Sequence, residues 1–87
     1  MRYRVTWDPA AFRRLVQEWT NAGKPDAAIE AFDAIEEMLN EDPDLQGESR
    51  SHSRRILIVP PLGVIFRAKQ ESGEVLIIDA WLIRSRG

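Results

Sequence analysis

The chain has 87 residues, of which 44% are hydrophobic and 30% are charged, so it is long enough for one small packed domain and too apolar for disorder. It has no cysteine and one histidine, which excludes a disulfide scaffold, a thiolate metal site and a cysteine nucleophile. The longest charge-free stretch, 56–66, is shorter than the roughly 20 residues of a membrane-spanning helix. We therefore predict a single soluble, cytoplasmic domain over 1–87, with no cofactor, no metal and no membrane partner.

The chain opens with an alternating segment, residues 2–7. Its apolar side chains fall on one side and its polar side chains on the other, which is typical of a strand that is buried on one face. The apolar set is Tyr3, Val5 and Trp7, and the polar set is Arg2, Arg4 and Thr6. We predict a half-buried strand here.

Two helices are predicted next. Asp8 and Pro9 favour a helix start, because an aspartate caps free amide groups and a proline suits the first helical turn. Gly23 suits the left-handed residue that ends this helix. Its apolar stripe is Phe12, Leu15, Val16 and Trp19. The second helix is predicted over 25–40, and the short link between the two predicts an antiparallel hairpin. Its apolar stripe is Ala28, Ile29, Phe32, Ile35, Met38 and Leu39.

The second half of the chain is predicted as a loop at 42–53 and then strands. Three apolar runs joined by tight turns indicate an antiparallel meander. The runs are 54–59, 62–69 and 74–83. The last run is almost continuously apolar, which predicts an interior strand covered on both faces or nearly so. The predicted fold class is α+β, in the order β-α-α-β-β-β, with the helical hairpin on one face of a small, largely antiparallel sheet.

Charge is distributed unevenly along the chain. Residues 1–48 carry eleven acidic and five basic side chains, whereas residues 49–87 carry three acidic and seven basic ones. If the helices cover one face of the sheet, a basic patch forms on the open face. It comprises Arg2, Arg4, Arg67 and Lys69, with Arg54 or Arg55 nearby. Such a patch can bind phosphates through charge-assisted hydrogen bonds, and the alternative is an ordinary solvated face.

The element order and three local segments resemble the RelE/ParE superfamily of toxins from bacterial type II toxin–antitoxin systems. The segments are 7–11 (WDPAA), 39–43 with the later Gly47, and 54–57 with the runs LGVIFRAK and VLIIDAWLIRS. The resemblance covers nearly the whole chain. It implies a cognate antitoxin as partner and growth inhibition by ribosome-dependent mRNA cleavage or by binding of DNA gyrase.

The resemblance also implies the site residues. RelE-like members cleave mRNA at the ribosome without a metal, using basic residues on the sheet and often a C-terminal tyrosine or histidine. Carried over to this chain, the candidate catalytic residues are Arg54, Arg55, Arg67, Arg84 and His52. The candidate nucleic-acid-binding residues are Arg2, Arg4, Lys69 and Arg86. His52 is included because histidine is the residue type suited to proton transfer near neutral pH, although a solvated loop residue is the simpler interpretation.

Several features depart from the RelE pattern. Gly63 stands where the resemblance implies an arginine, Tyr3 is the only tyrosine, and no tyrosine or histidine follows the last predicted strand. Arginine stabilises phosphate charge but is a poor base, because a guanidinium group stays protonated at neutral pH. These departures favour gyrase binding, or a RelE/ParE-like domain that has lost its activity and serves as a non-toxic protein-binding module. Homo-oligomer formation stays open.

Two further expectations concern side-chain packing. Asp79 lies inside the last apolar run, and we expect it to pair with Arg4 or Arg67 because lone buried carboxylates are costly. The three tryptophans are predicted to be packing anchors, since their large rings bury much apolar area. They are Trp7, Trp19 and Trp81. For Trp81, which lies near a sheet edge, the alternative is stacking on a nucleic-acid base.

Overall fold

A computed structural model describes residues 2–83. It contains the helices α1 (Pro9–Asn21) and α2 (Asp26–Glu41) and the strands β1 (Arg4–Trp7), β2 (Glu48–Arg50), β3 (Arg54–Val59), β4 (Leu62–Lys69) and β5 (Glu74–Leu82). The strand order is β1-β5-β4-β3-β2; β1 is parallel to β5 and the other pairs are antiparallel. The predicted α+β architecture is confirmed. Within the described residues, no helix is long and apolar enough to cross a membrane.

The start of α1 follows from two residues. Asp8 Oδ2 accepts a hydrogen bond from the Ala11 amide at 3.2 Å, and Pro9 is the first helical residue. The carboxylate thus satisfies one of the amide groups that a helix N-terminus leaves unpaired. The predicted helix start is confirmed, and α1 begins directly after β1.

The core lies between the helices and one face of the sheet. Successive residues of a strand point to opposite faces, so alternate residues of β4 and β5 point at the helices. The side chains with no exposed surface are Leu39, Val64, Phe66, Val75, Ile77 and Ala80. The predicted alternation on 62–69 is confirmed. On β4 and β5, Ile65 pairs with Asp79, and the next residue, Phe66, pairs with Ile77. The register therefore shifts by one residue between these pairs, and Ile78 is the extra residue of β5.

In the part of the chain that the structure describes, no strand pairs with the outer edge of the second half of β5, because β1 pairs only with its first four residues. Helix α1 closes this edge. Glu18 Oε1 accepts a hydrogen bond from the Leu82 amide at 3.0 Å, and its Oε2 accepts one from Arg14 Nε at 3.0 Å. A side chain of α1 therefore satisfies a backbone donor that would otherwise be unpaired at the sheet edge.

Asp79 pairs with Arg14 of α1, whose Nη1 donates to Asp79 Oδ1 at 3.0 Å. The prediction of Arg4 or Arg67 as its partner is wrong, because α1 runs along this edge and brings its own arginine to the carboxylate. The pKa of Arg14 is raised above its ordinary value, first by the hydrogen bond to Glu18 and then by the charge of Asp79.

Part of the predicted loop at 42–53 is regular structure. A 3-10 turn spans Pro43–Leu45, and β2 forms an edge strand on β3. The prediction of a loop is wrong there, because an edge strand is held by backbone hydrogen bonds and needs no apolar alternation. Gly47 precedes β2 with φ +67°, and a Cβ at this residue would lie 2.0 Å from the Ile56 carbonyl oxygen. Only glycine allows this approach.

The last strand is interior, between β1 and β4, as predicted. The prediction that both its faces are covered is wrong for the open face, where Leu76 is 40% exposed. Helices pack on one side only, so the apolar residues that alternate with the core residues remain at the surface.

Candidate nucleic-acid interface

The open face of the sheet carries a row of arginines. Arg50 pairs with Arg54 across β2 and β3, and the register that pairs Arg55 with Phe66 places Arg54 opposite Arg67 of β4. Neighbouring strands lie about 4.8 Å apart, so the three Cα positions span about 10 Å across the sheet. We call Arg50, Arg54 and Arg67 the arginine row.

The row keeps most of its positive charge. Arg50 Nη1 lies 3.2 Å from Glu48 Oε2, and this pair is highly exposed, so it neutralises little. Within the described residues, no ion pair includes Arg54 or Arg67, and the buried Nε of Arg67 has no hydrogen-bond acceptor. Guanidinium groups that lack hydrogen-bond acceptors favour binding of an anionic ligand, because the ligand supplies the missing acceptors.

Two other predicted cations share this face. Arg4 of β1 and Lys69 of β4 both pair in register with Glu74 of β5, so the carboxylate lies between two cationic positions. Arg2 is exposed and precedes β1. The structure therefore brings Arg4 and Lys69 to the same face as the arginine row. Lys69 is two residues from Arg67 on β4, and Arg4 lies two strands from it, on β1.

Arg55 lies on the opposite face from the arginine row. It is paired in register with the buried Phe66, and its guanidinium is bound to backbone carbonyls. Its Nε donates to the Gln46 oxygen at 2.8 Å and its Nη2 to the Gly47 oxygen at 3.1 Å. These bonds hold the segment that leads into β2. The structure thus separates Arg55 from Arg54.

The predicted proton-transfer residue lies at the end of the row. His52 is exposed at the tip of the β2–β3 hairpin with φ +62°, two residues from Arg50 and two from Arg54. Tyr3 packs against the core on the helix side. Arg84 and Arg86 lie outside the described residues.

Two solved structures have closely similar folds. One is the toxin–antitoxin complex RelBE2 from Mycobacterium tuberculosis, with a TM-score of 0.75, 18% identity, and coverage of 97% of this chain and 100% of the other. The second is the chromosomal ParDE TA system from P. aeruginosa, with a TM-score of 0.65, 16% identity, and coverage of 95% and 98%. The chain has the RelE/ParE-like fold. It matches no protein-family model and no curated protein sequence.

In this RelE/ParE-like domain the position of the implied arginine is filled by a tryptophan ring. Gly63 pairs in register with Trp81, and a Cβ at Gly63 would lie 2.6 Å from Trp81 Cε2 and Cζ2. The indole therefore rests against the glycine backbone on the open face. On the other side of Gly63, Ile58 is 51% exposed. The sequence offered Trp81 as a base-stacking residue only as an alternative and gave no sign of its contact with Gly63, because a glycine opposite a tryptophan is a signal only when the strand pairing is known.

A second surface of the RelE/ParE-like domain is an apolar groove between α1 and α2. It is lined by Phe12, Leu15, Val16, Trp19, Ala28, Ile29, Phe32 and Leu62. Helix α1 packs on β5, whereas α2 contacts β1, β3, β4 and β5. Phe12 of α1 and Phe32 of α2 meet edge to face, with ring centroids 6.5 Å apart. Phe12, Val16 and Ile29 are 40–45% exposed along the groove. The expectation that the apolar stripe of α2 is buried is therefore wrong at Ile29. Trp7 stacks on Phe32 with ring centroids 5.3 Å apart at one end of the groove.

The α2 side of this groove is acidic. Asp26, Asp33 and Glu36 are three, four and seven residues from Ile29, which places them on the same side of the helix. The pKa of Glu36 is raised, chiefly because partial burial disfavours its charge and also because of the charge of Asp33. A partner that binds in this groove binds more tightly when it carries cationic side chains that face α2.

Proposed function

We propose that this protein is the toxin of a type II toxin–antitoxin pair and that it inhibits growth by ribosome-dependent mRNA cleavage. The arginine row on the open face carries the proposal. It places two guanidinium groups, those of Arg54 and Arg67, on adjacent strands of a RelE/ParE-like sheet, and neither forms an ion pair within residues 2–83. Two solved neighbours of that fold come from toxin–antitoxin systems.

RNA cleavage through the neighbouring 2′-hydroxyl needs cations and a proton acceptor. The hydroxyl oxygen attacks the phosphorus and loses its proton, so negative charge builds up on the phosphate oxygens of the pentacoordinate transition state. The bond to the leaving 5′-oxygen then breaks, and that oxygen takes a proton from water. Guanidinium groups stabilise that charge through fixed, paired donors. In this proposal Arg54 and Arg67 bind the phosphate, and His52 at the hairpin tip takes the hydroxyl proton. Arg55 acts indirectly, by holding the segment before β2.

Gyrase binding is the second candidate. It is favoured by the position of Gly63, where the resemblance implies an arginine and the Trp81 ring leaves no room for a side chain. A protein that inhibits gyrase by binding needs a complementary surface and no proton acceptor. Under this alternative, the open face of the sheet contacts gyrase.

The apolar groove supports a cognate antitoxin as partner. Exposed apolar surface of this kind on a small domain is typical of protein-binding sites. Its acidic α2 side favours an amphipathic antitoxin segment that carries lysine or arginine next to its apolar side chains. Without that segment we expect the domain to self-associate in solution.

Tightly induced expression in a bacterial host tests the proposal, with growth, protein synthesis and the DNA-damage response followed together. We expect growth arrest with an early loss of protein synthesis. The double variant Arg54→Ala/Arg67→Ala removes two charges from the arginine row and should lose the arrest. Its matched control, Arg13→Ala/Lys24→Ala, removes two exposed charges from the helix side and should retain it.

Other outcomes separate the alternatives. Arrest with filamentation and DNA-damage signalling, while protein synthesis continues at first, favours gyrase as the target. Normal growth with abundant, folded protein contradicts a toxin role and favours a non-toxic protein-binding module. Full toxicity of the double variant excludes the arginine row from the mechanism.

A further inference from the structure

The open face carries an apolar surface directly beside the arginine row. Ile56, Ile58 and Ile65 lie on the same face of β3 and β4, and the Trp81 ring completes the surface by resting against Gly63. We call Ile56, Ile58, Ile65 and Trp81 the apolar platform. It is unrelated to the helix groove, because the helices cover the other face of the sheet.

The row and the platform form one continuous strip. On β3, Arg54, Ile56 and Ile58 follow each other at two-residue spacing, so all three point to the open face. Four residues of strand separate the two ends, which is about 13 Å. The cationic end and the apolar end are therefore within reach of one short extended ligand.

Packing within the domain does not require the apolar side chains of the platform to be exposed. Ile58 has 51% of its surface exposed, and Trp81 is only partly buried although its ring is held against the backbone. A fixed aromatic ring on an open sheet, beside cationic side chains, is the arrangement that binds unpaired bases in single-stranded nucleic acids. An acidic protein segment would satisfy the arginine row through its carboxylates, whereas a nucleotide carries both a phosphate for the row and a flat base for the ring.

We propose that Trp81 is a base-binding residue: the open face binds single-stranded RNA with phosphates on the arginine row and an unpaired base stacked on the Trp81 ring. Ile58 forms the adjoining wall of the base site. This inference deepens the proposed function, on which it rests, because it names the ligand of the same face and the residue that contacts its base.

The test is a titration of the purified protein with a ten-nucleotide oligouridylate at several salt concentrations, followed by tryptophan fluorescence and by anisotropy of a labelled strand. We expect fluorescence quenching on binding. Trp81→Leu should weaken binding about tenfold, since stacking on an aromatic ring contributes about 1–3 kcal/mol per base. Trp81→Phe should retain most of the affinity.

A second variant avoids the packing change at Gly63. Ile58→Glu alters an exposed side chain and should also weaken binding about tenfold by placing a carboxylate in the base site. Its matched control is Leu45→Glu, which adds the same charge at a residue that is 76% exposed in the 3-10 turn. That control should bind like the unmodified protein.

An abasic strand of the same length separates charge from base binding. We expect it to bind more weakly than oligouridylate and to be insensitive to Trp81→Leu. Arg54→Ala/Arg67→Ala should reduce the slope of log affinity against log salt by about 1.4, because each lost phosphate contact of a single strand contributes about 0.7.

Three results would overturn the inference. These are equal affinity of the abasic strand, unchanged binding by both Trp81→Leu and Ile58→Glu, or self-association through the open face that excludes the oligonucleotide. The experiments can contradict the base site without contradicting the toxin role, and the reverse. Growth arrest without oligonucleotide binding contradicts the base site alone, whereas Trp81-dependent binding without growth arrest contradicts the toxin role alone.

Discussion

Two neighbouring residues of β5 show how differently the two faces of the sheet are used. Ile77 points at the helices and has no exposed surface, whereas Leu76 points away and is 40% exposed. On β3 the same contrast separates Leu57, which is 6% exposed, from Ile58, which is 51% exposed. The side chains are of the same type on both faces. Only the helix face is packed.

This contrast indicates what each face contributes. Apolar area removed from water stabilises the fold by about 25 cal/mol per Å², so the helix face contributes most of the stability. The open face contributes less and leaves cationic and apolar groups available to a ligand. Substitutions on the two faces should therefore separate stability from binding.

The largest expected effect is the difference between Ile77→Ala and Leu76→Ala. We expect Ile77→Ala to lower the free energy of unfolding by about 4 kcal/mol, because it leaves a cavity in the core, and Leu76→Ala by less than about 1 kcal/mol. Urea unfolding measures both. Equal losses would show that the open face is covered in solution, and the comparison of the two faces would then be wrong.

A smaller effect concerns the edge that carries Arg50. Gly47→Ala should lower the free energy of unfolding by about 3 kcal/mol, because the new Cβ collides with the Ile56 carbonyl and the backbone must move. Gly23→Ala is the control: φ is +88° there, but nothing lies within 4 Å of the new Cβ, so we expect about 1 kcal/mol. Similar losses in thermal unfolding at both positions would contradict the close approach of β2 to β3.

The opposite edge is tested through Glu18. We expect Glu18→Ala to lower the free energy of unfolding by about 1–2 kcal/mol, because the Leu82 amide loses its acceptor. Glu18→Gln should lower it less, since the amide oxygen still accepts that hydrogen bond while the charge next to Arg14 is lost. Hydrogen exchange of the Leu82 amide provides the direct readout. Equal protection in both variants would contradict this role of Glu18.

The smallest expected effect is that of Glu36→Gln. The pKa of Glu36 is raised above its ordinary value of 4.5 in the folded protein, so the folded state holds the proton more tightly than the unfolded chain. The ionised carboxylate therefore destabilises the fold above its folded pKa, and this is relieved as the pH falls to 4.5 and below. Solvent screening reduces the effect to a few tenths of a kcal/mol. Urea unfolding at pH 7 and pH 4 should show a gain from Glu36→Gln only at pH 7.

Much of the fold could be predicted from local patterns. The Asp8–Pro9 helix start, the alternation of 62–69 and the α+β class depend on residues close together in the chain. Strand β2 could not be predicted, because its backbone bonds to β3 leave no mark on its polar sequence. The partner of Asp79 depends on how α1 lies along β5, which no pattern within either element encodes.

Local sequence patterns also predicted part of the candidate site. Alternation placed Arg67 and Lys69 opposite the core side chains, whereas the choice between Arg54 and Arg55 required the pairing of β3 with β4. The Trp81–Gly63 contact joins residues 18 positions apart and follows from strand register alone.

Local sequence patterns specify the type and order of the main elements, because helix starts, turns and apolar alternation act over a few residues. Which apolar residues are buried depends on the tertiary structure, since burial needs a second element to pack against. The two helices cover one face of the sheet and leave the groove beside Ile29 exposed. The strand pairing assembles the arginine row from three strands and brings Trp81 to Gly63 on the open face.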